Sequence, residues 1–119
     1  MTNEIPDDIT VETVWMVEAR YTPEAAERRP ALRPVHLARI AALRDDGVIV
    51  EAGGHTDLST ALLMVRAGSA EAALDLFVDD VYTTGGVWTD LRARAYGRVV
   101  RPAELEDRSP RREAVATAS

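Results

Sequence analysis

The residues of this sequence that are best suited to chemistry begin with a histidine on an otherwise apolar helix face. His36 lies in the segment LRPVHLARI, and Leu32, His36, Ile40 and Leu43 follow one another at spacings of four, four and three. That period places them on one face of a helix. An imidazole there is partly desolvated, and a nearby carboxylate that fixed its tautomer would suit it for proton transfer near neutral pH. The alternative is a core histidine with one hydrogen bond to the backbone.

Two neighbouring carboxylates are candidate partners for this histidine. Asp79 and Asp80 fall near the end of AEAALDLFVDDVY, which has the apolar period of a second helix. The helix macrodipole disfavours a carboxylate at a C-terminal end. Asp80 lies at the edge of the apolar stripe and could reach the first helix, whereas Asp79 is turned about 100° away from it. The alternative is that both are solvated residues at a helix end.

Three further residues could contribute to a ligand site. Arg33 is one helical step from His36 and could hold a carboxylate through two parallel hydrogen bonds, or could form a surface ion pair. Tyr82 could orient Asp80 or line a pocket, or pack against the sheet. His55 lies on a glycine-rich hairpin, where we expect it to be exposed rather than to form a pocket lid.

Composition and motifs count against several other classes of function. There is no cysteine, and the two histidines are far apart in sequence, so we expect no metal site. The AGG triplet lacks the context of a nucleotide-binding loop, and no cofactor is expected. A net charge of −6 with scattered arginines gives no footprint for nucleic acid. No apolar run is long enough for a membrane span, and the polar N-terminus lacks a signal-peptide pattern, so we expect a cytoplasmic location.

Hydrophobic periodicity and turn residues predict six elements. Because a proline is tolerated in the first turn of a helix, Pro34 predicts a first helix that starts near residue 31, and Gly47 ends it. Ser69 is expected to cap the second helix. The predicted elements are strands at 13–20, 48–54, 60–68 and 90–100 and helices at about 31–46 and 70–82. They define one domain, residues 12–100, between a disordered tail at 1–11 and a second tail at 101–119.

The order β-α-β-β-α-β predicts an α+β, ferredoxin-like fold. Its four-stranded antiparallel sheet carries both helices on one face. The other face is left open, and apolar residues around Trp15 and in ALLMV would then point toward water. Exposed apolar patches usually mark an interface, so we expect a homodimer with the two sheets face to face.

Three segments resemble the YciI-like family, which carries the YCII-related domain. They are RPVHLARI, GVIVEAGG and DDVYTTGGVW, and they occur in the family's order and spacing within residues 13–100. The resemblance implies a fold of the dimeric α/β barrel group and a His–Asp pair, here His36 and Asp80, proposed as a catalytic dyad. Gly53 also falls in register, in a turn that lines the pocket of family members.

The chemistry that the resemblance implies is proton transfer on a small organic acid or lactone. Related activities include chloromuconolactone dehalogenase, an elimination, and muconolactone isomerase. The family's proline after Ala-Gly is Gly54 here, and its proline after Asp is Val81, which puts the shape of the substrate in question more than the dyad. The alternative function is a non-catalytic dimer of the same fold that binds a small metabolite or a partner.

Overall fold

A single four-stranded sheet organises the computed structural model, which describes residues 7–102. Its strands lie in the order β2-β3-β1-β4, and β3 pairs antiparallel with both β1 and β2. This is the strand order of a split βαβ fold, so the predicted α+β, ferredoxin-like architecture is confirmed. The elements in chain order are β1 (Thr10–Tyr21), α1 (Ala25–Asp45), β2 (Ile49–Gly54), β3 (Thr60–Val65), α2 (Ala70–Asp75), α3 (Val81–Thr84) and β4 (Trp88–Val100).

The chain divides into two compact units. The larger unit is residues 14–96, and the described part of the smaller one combines residues 7–13 with 97–102. In the described part of the smaller unit, Arg98 pairs with Glu12 at 3.1 Å and Arg101 with Asp8 at 2.9 Å. The predicted tails, residues 1–11 and 101–119, lie mostly outside the described residues, so their boundaries stay predictions.

The alternation of β3 separates a buried sheet face from an open one in the larger unit. Ala61, Leu63 and Val65 are buried, whereas Leu62 is 39% exposed and Met64 is half-buried. Successive strand residues point to opposite faces, so Leu62 and Met64 share the open face. Of the apolar residues expected there around Trp15, Met16 lies beside Leu62 and Met64. Trp15 itself packs against the core, and its indole Nε1 donates to the Ala67 carbonyl at 3.1 Å.

Helix α1 begins earlier than the sequence predicted. It starts at Ala25 rather than near residue 31, and both Pro30 and Pro34 lie inside it. A proline in a helix removes one backbone hydrogen bond to the carbonyl four residues earlier. The two carbonyls concerned belong to Ala26 and Pro30, which are exposed residues that water can reach. The helix therefore tolerates both prolines, and it ends before Gly47, whose φ of +80° is the left-handed geometry that glycine supplies.

The predicted second helix is broken into two short ones. Ser69 caps α2 as predicted, its hydroxyl accepting from the Ala72 amide at 3.0 Å, but α2 ends at Asp75. Asp80 has an extended backbone, with φ −62° and ψ 144°, and α3 starts after it. Asp80 is therefore the N-cap of α3 and not a residue at a helix C-terminus. The expectation that a macrodipole disfavours it is wrong, because a carboxylate at an N-terminus is favoured.

The hairpin between β2 and β3 contains an irregularity near the site. The register moves from Ile49↔Val65 to Glu51↔Met64, so a bulge falls at Val50. Beyond it Ala52 pairs with the buried Leu63 and faces the helices. The turn is closed by His55, whose amide donates to the Thr60 carbonyl at 2.8 Å. Among residues 7–102, no helix has the length and apolarity needed to cross a membrane.

Candidate active site

His36 is held at the centre of the inward face of α1. It is 5% exposed, while Leu32, Ile40 and Leu43 on the same face pack against the core cluster as half-buried neighbours. The period that singled it out in the sequence therefore corresponds to its position in the fold. Only Ala25 and His36 are buried residues of α1. A polar ring in such a place needs a hydrogen-bond partner, because burying it without one costs roughly 1–3 kcal/mol.

Asp80 is that partner. His36 Nδ1 lies 2.7 Å from Asp80 Oδ2, and the same oxygen accepts from the Tyr82 amide at 2.9 Å. Burial would raise the pKa of the Asp80 carboxyl. The hydrogen bonds from His36 and Tyr82, with attraction to the His36 ring when it is protonated and to Arg39, outweigh it and hold that pKa below 3.8, its ordinary value. Asp80 is thus a buried carboxylate that stays ionised at neutral pH.

The ionised carboxylate fixes the tautomer of His36. A carboxylate has no proton to donate, so Nδ1 carries the hydrogen and donates it to Oδ2. The lone pair of the neutral ring is then on Nε2. Among the described residues no hydrogen bond to Nε2 occurs, and His36 lines a cavity. The arrangement therefore presents a base nitrogen, oriented from behind by a carboxylate.

Arg39 supports the carboxylate from the other side. Its Nη1 lies 3.3 Å from Asp80 Oδ1, and its Nη2 donates to the carbonyl of Leu76. The guanidinium also lies over the Phe77 ring, with Cζ 5.9 Å from the ring centre. Arg39 follows His36 by three residues on α1, so both side chains project toward α3. It ties α1 to the segment between α2 and α3 and fixes the position of Asp80.

Two aromatic rings enclose the imidazole. The Tyr82 ring stacks on His36 with centroids 3.6 Å apart and planes at 7°, and Trp88 meets His36 edge-on at 4.9 Å. Burial raises the pKa of the Tyr82 hydroxyl above 10.0, against the opposing charges of Arg29 and Arg33, so Tyr82 is neutral at neutral pH. The rings restrict the access of water to His36, which strengthens its interaction with Asp80.

A cavity of about 440 Å³ opens beside this group. Such a volume suits a small organic molecule. The predicted site residues Arg33, Gly53, Tyr82 and His36 all line it, whereas Asp80 lies behind His36 and does not. His55 lines the cavity too and is exposed, as expected.

The two glycines at the end of β2 form part of the cavity wall. A Cβ on Gly53 would meet no atom within 4 Å, so Gly53 leaves open space at the mouth. A Cβ on Gly54 would lie 2.5 Å from the Tyr21 hydroxyl oxygen. Gly54, at the position of the family's proline, therefore makes room for Tyr21, which also lines the cavity. Local sequence patterns do not indicate this contact, because the two residues are 33 positions apart.

Three contributors were not singled out in the sequence. Arg39 and Arg29 lie on the helix face of His36, three residues after it and seven before it, and that spacing was the available signal. Trp88 is buried and also lines the cavity. Within the part of the chain that the structure describes, no three His, Cys, Asp or Glu side chains come together as a potential metal site.

The fold and site together define a class: a split βαβ domain with a buried histidine–carboxylate pair at the wall of a small-molecule cavity. The family model described as the YCII-related domain matches residues 13–95. The chain therefore belongs to the YCII-related domain family, and the predicted resemblance is confirmed.

The fold is also found in a solved structure of another protein. It is 5-chloro-2-hydroxyhydroquinone dehydrochlorinase (TftG) from Burkholderia phenoliruptrix AC1100, in complex with 2,5-dihydroxybenzoquinone. The similarity has a TM-score of 0.59 and covers 70% of this chain and 92% of that chain, at 17% sequence identity. At that identity the likeness establishes the fold alone. None of the curated proteins compared with the chain matches it.

Proposed function

We propose that this protein is a cofactor-independent enzyme that transfers a proton on a small organic acid or lactone, in an elimination or an isomerisation. The observation that carries the proposal is the geometry of His36. Its Nδ1 is held 2.7 Å from a buried, ionised Asp80, and its Nε2 has no hydrogen-bond partner among residues 7–102 beside a cavity of about 440 Å³. A base oriented in this way has the geometry of general-base catalysis.

In the proposed step, Nε2 of His36 takes a proton from a carbon next to a carbonyl group. In an elimination, the electron pair of the broken C–H bond forms a C=C bond, and a leaving group departs from the adjacent carbon with its own electron pair. In an isomerisation, the pair moves into a conjugated enolate and the imidazolium returns the proton to another carbon. After an elimination, the imidazolium releases its proton to water. Asp80 stays ionised throughout and stabilises the imidazolium.

Two observations support this reaction class over other uses of a histidine. The pKa of Asp80 is held low, so the carboxylate is charged when the imidazolium forms and attracts it. The structural neighbour with the same fold is named as a dehydrochlorinase, and such a reaction removes hydrogen chloride. For this chain, the identity of the leaving group stays part of the proposal.

The test separates proton abstraction from the complete reaction. Candidate lactones and oxo acids are incubated with the protein in D₂O, and exchange of the carbon-bound proton is followed by NMR. We expect His36→Gln to slow exchange by at least about 10²–10⁴-fold, the usual contribution of a general base, and Asp80→Asn to slow it by removing the charge that stabilises the imidazolium. Asp79→Asn removes the same charge at an exposed neighbour and is the control. Equal exchange by wild type and His36→Gln would contradict the mechanism.

A second candidate function is binding without catalysis. The open sheet face bears an apolar hollow of about 360 Å³ lined in part by Met16, Leu62 and Met64. This surface favours a homodimer that pairs its sheets, in which His36 would only accept a hydrogen bond from a bound metabolite. Light scattering at micromolar concentration tests the dimer. Tight binding of a ligand whose protons never exchange would favour this function over the enzyme.

A further inference from the structure

The cavity beside His36 is positively charged in an acidic protein. Its lining includes Arg29 and Arg33 but no Asp or Glu, although the chain carries a net charge of −6. We propose that Arg29 and Arg33 form an anion subsite that restricts the substrate to compounds bearing a carboxylate. This inference rests on the proposed function, since it names the substrate class of the same site.

The positions of the two arginines on α1 suit a single carboxylate. Arg29 and Arg33 are four residues apart, so they are neighbours on one helix face, and His36 continues that face. At ~1.5 Å of rise per residue, Arg33 is ~4.5 Å and Arg29 ~10.5 Å along the helix from His36. Long side chains spaced in this way can hold one carboxylate between them while the acidic carbon of the same molecule lies against His36.

The remaining arginines of α1 show that this pair is distinctive. Arg28 donates to the Gly85 carbonyl, Arg39 binds Asp80, and Arg44 pairs with Glu51. Within residues 7–102, neither Arg29 nor Arg33 forms a hydrogen bond or ion pair, and both line the cavity. Their charges nonetheless act on the Tyr82 hydroxyl, where they oppose the effect of burial. They therefore supply a positive field inside the cavity that no described carboxylate neutralises by direct contact.

The subsite requires a carboxylate on the substrate, at a position separate from the carbon that loses its proton. The molecule carries its charge toward the N-terminal half of α1 and its acidic C–H bond toward His36. A neutral ester or lactone without a carboxylate would leave both guanidinium groups solvated and gain nothing from them. We therefore expect carboxylate-bearing lactones or oxo acids to bind better than their neutral analogues.

Benzoate and its neutral analogue benzamide test the subsite without any turnover. Their dissociation constants are measured by NMR titration for wild type, Arg29→Gln, Arg33→Gln and the control Arg94→Gln, an exposed arginine outside the cavity. We expect benzoate to bind the wild type at least tenfold better than benzamide. Each cavity variant should lose about tenfold, or about 1.4 kcal/mol, for benzoate only. Added salt should weaken benzoate binding.

Three results would overturn the subsite. They are the absence of benzoate binding up to about 10 mM, equal affinities for the two probes, or unchanged benzoate affinity in Arg29→Gln and Arg33→Gln. Neither arginine forms a hydrogen bond or ion pair with another described residue, so both variants should fold normally.

The anion subsite and the catalytic mechanism can be refuted independently of each other. His36→Gln should keep the preference for benzoate over benzamide. If the wild type shows that preference but no candidate carboxylate exchanges its protons, the catalytic proposal fails and the subsite stands. If neutral lactones exchange as fast as their acids, and the arginine variants exchange at the wild-type rate, the subsite fails and catalysis stands.

Discussion

Replacing Asp80 by asparagine tests the electrostatics of the site most directly. The side chain is fully buried and accepts from His36 Nδ1, the Tyr82 amide and Arg39. Asparagine has the same shape and can keep its oxygen at the Oδ2 position, which preserves the first two hydrogen bonds. It loses the negative charge, however, and turns an amide group with two N–H donors toward the donors of Arg39.

The expected loss follows from these contacts. A hydrogen bond to a charged group contributes about 1.5–3 kcal/mol, against about 1 kcal/mol for a neutral one, so two weakened bonds lose about 2 kcal/mol. The Arg39 pair adds at most about 1 kcal/mol, because its guanidinium is partly exposed. We expect Asp80→Asn to lower the free energy of unfolding by about 2–3 kcal/mol at pH 7, measured by urea denaturation with tryptophan fluorescence.

The loss should depend on pH in a defined direction. The pKa of Asp80 is lower in the folded protein than 3.8, its ordinary value, so the unfolded chain binds the proton more readily. The stabilisation by Asp80 is therefore present above pH 3.8 and lost as the pH falls through the folded pKa. The difference between wild type and Asp80→Asn should hold at pH 5 and shrink toward pH 3.

A matched substitution separates this effect from general loss of charge. Asp79→Asn removes the same charge at the adjacent exposed residue, and we expect a change below about 0.5 kcal/mol. The reasoning would be refuted by an Asp80→Asn loss as small as that of the control at pH 7. It would also be refuted by a loss as large at pH 3 as at pH 5, because below pH 3.8 the unfolded chain takes up the Asp80 proton more readily than the folded protein does.

Three further predictions concern the surroundings of the pair. Arg39→Gln should lower the free energy of unfolding, measured in urea, by about 1–2 kcal/mol, because it removes a contact that holds Asp80. It should also slow proton exchange with little change in substrate affinity, since Arg39 does not line the cavity. Unchanged proton exchange would show that Arg39 does not position Asp80 for the reaction. Burial raises the pKa of Tyr82 above 10.0 in the folded protein, so its contribution to stability is fully present below pH 10.0 and is lost as the pH rises through the folded pKa. Tyr82→Phe should remove this dependence when the free energy of unfolding is measured from pH 8 to 11. An identical slope in both proteins would contradict the prediction. Leu62→Glu places a charge on the open sheet face and should convert a dimer to a monomer by light scattering, whereas Asp79→Asn, at an exposed residue between α2 and α3, should not.

Strand patterns and turn residues carried most of the information about the fold. Alternating apolar residues predicted the four strands, and Gly47 and Ser69 marked a helix end and a helix start correctly. The start of α1 was predicted too late, because the cost of Pro30 and Pro34 depends on whether the carbonyls they leave unpaired reach water. That exposure belongs to the folded state and cannot be read from local sequence.

The candidate site was only partly accessible to sequence reasoning. Helical period identified His36, and Asp80 was proposed as its partner, but the physical argument used for Asp80 was reversed by the break between α2 and α3. The roles of Arg39 and Trp88 depend on contacts between elements that are distant in sequence, such as Arg39 with Leu76 and Trp88 with His36. The His36–Asp80 contact is in the structure, while its catalytic role stays a prediction.

Asp80 serves two purposes that natural selection cannot separate. It starts α3 by accepting from the Tyr82 amide, and with the same oxygen it holds His36. If a descendant of this protein lost the proposed catalysis, the carboxylate would still stabilise its fold, whereas His36 would be free to change to another residue that fills its place. An aspartate at this position in another member of the family would therefore indicate a conserved fold. A histidine opposite it on α1 would be the better indicator of the proposed proton transfer.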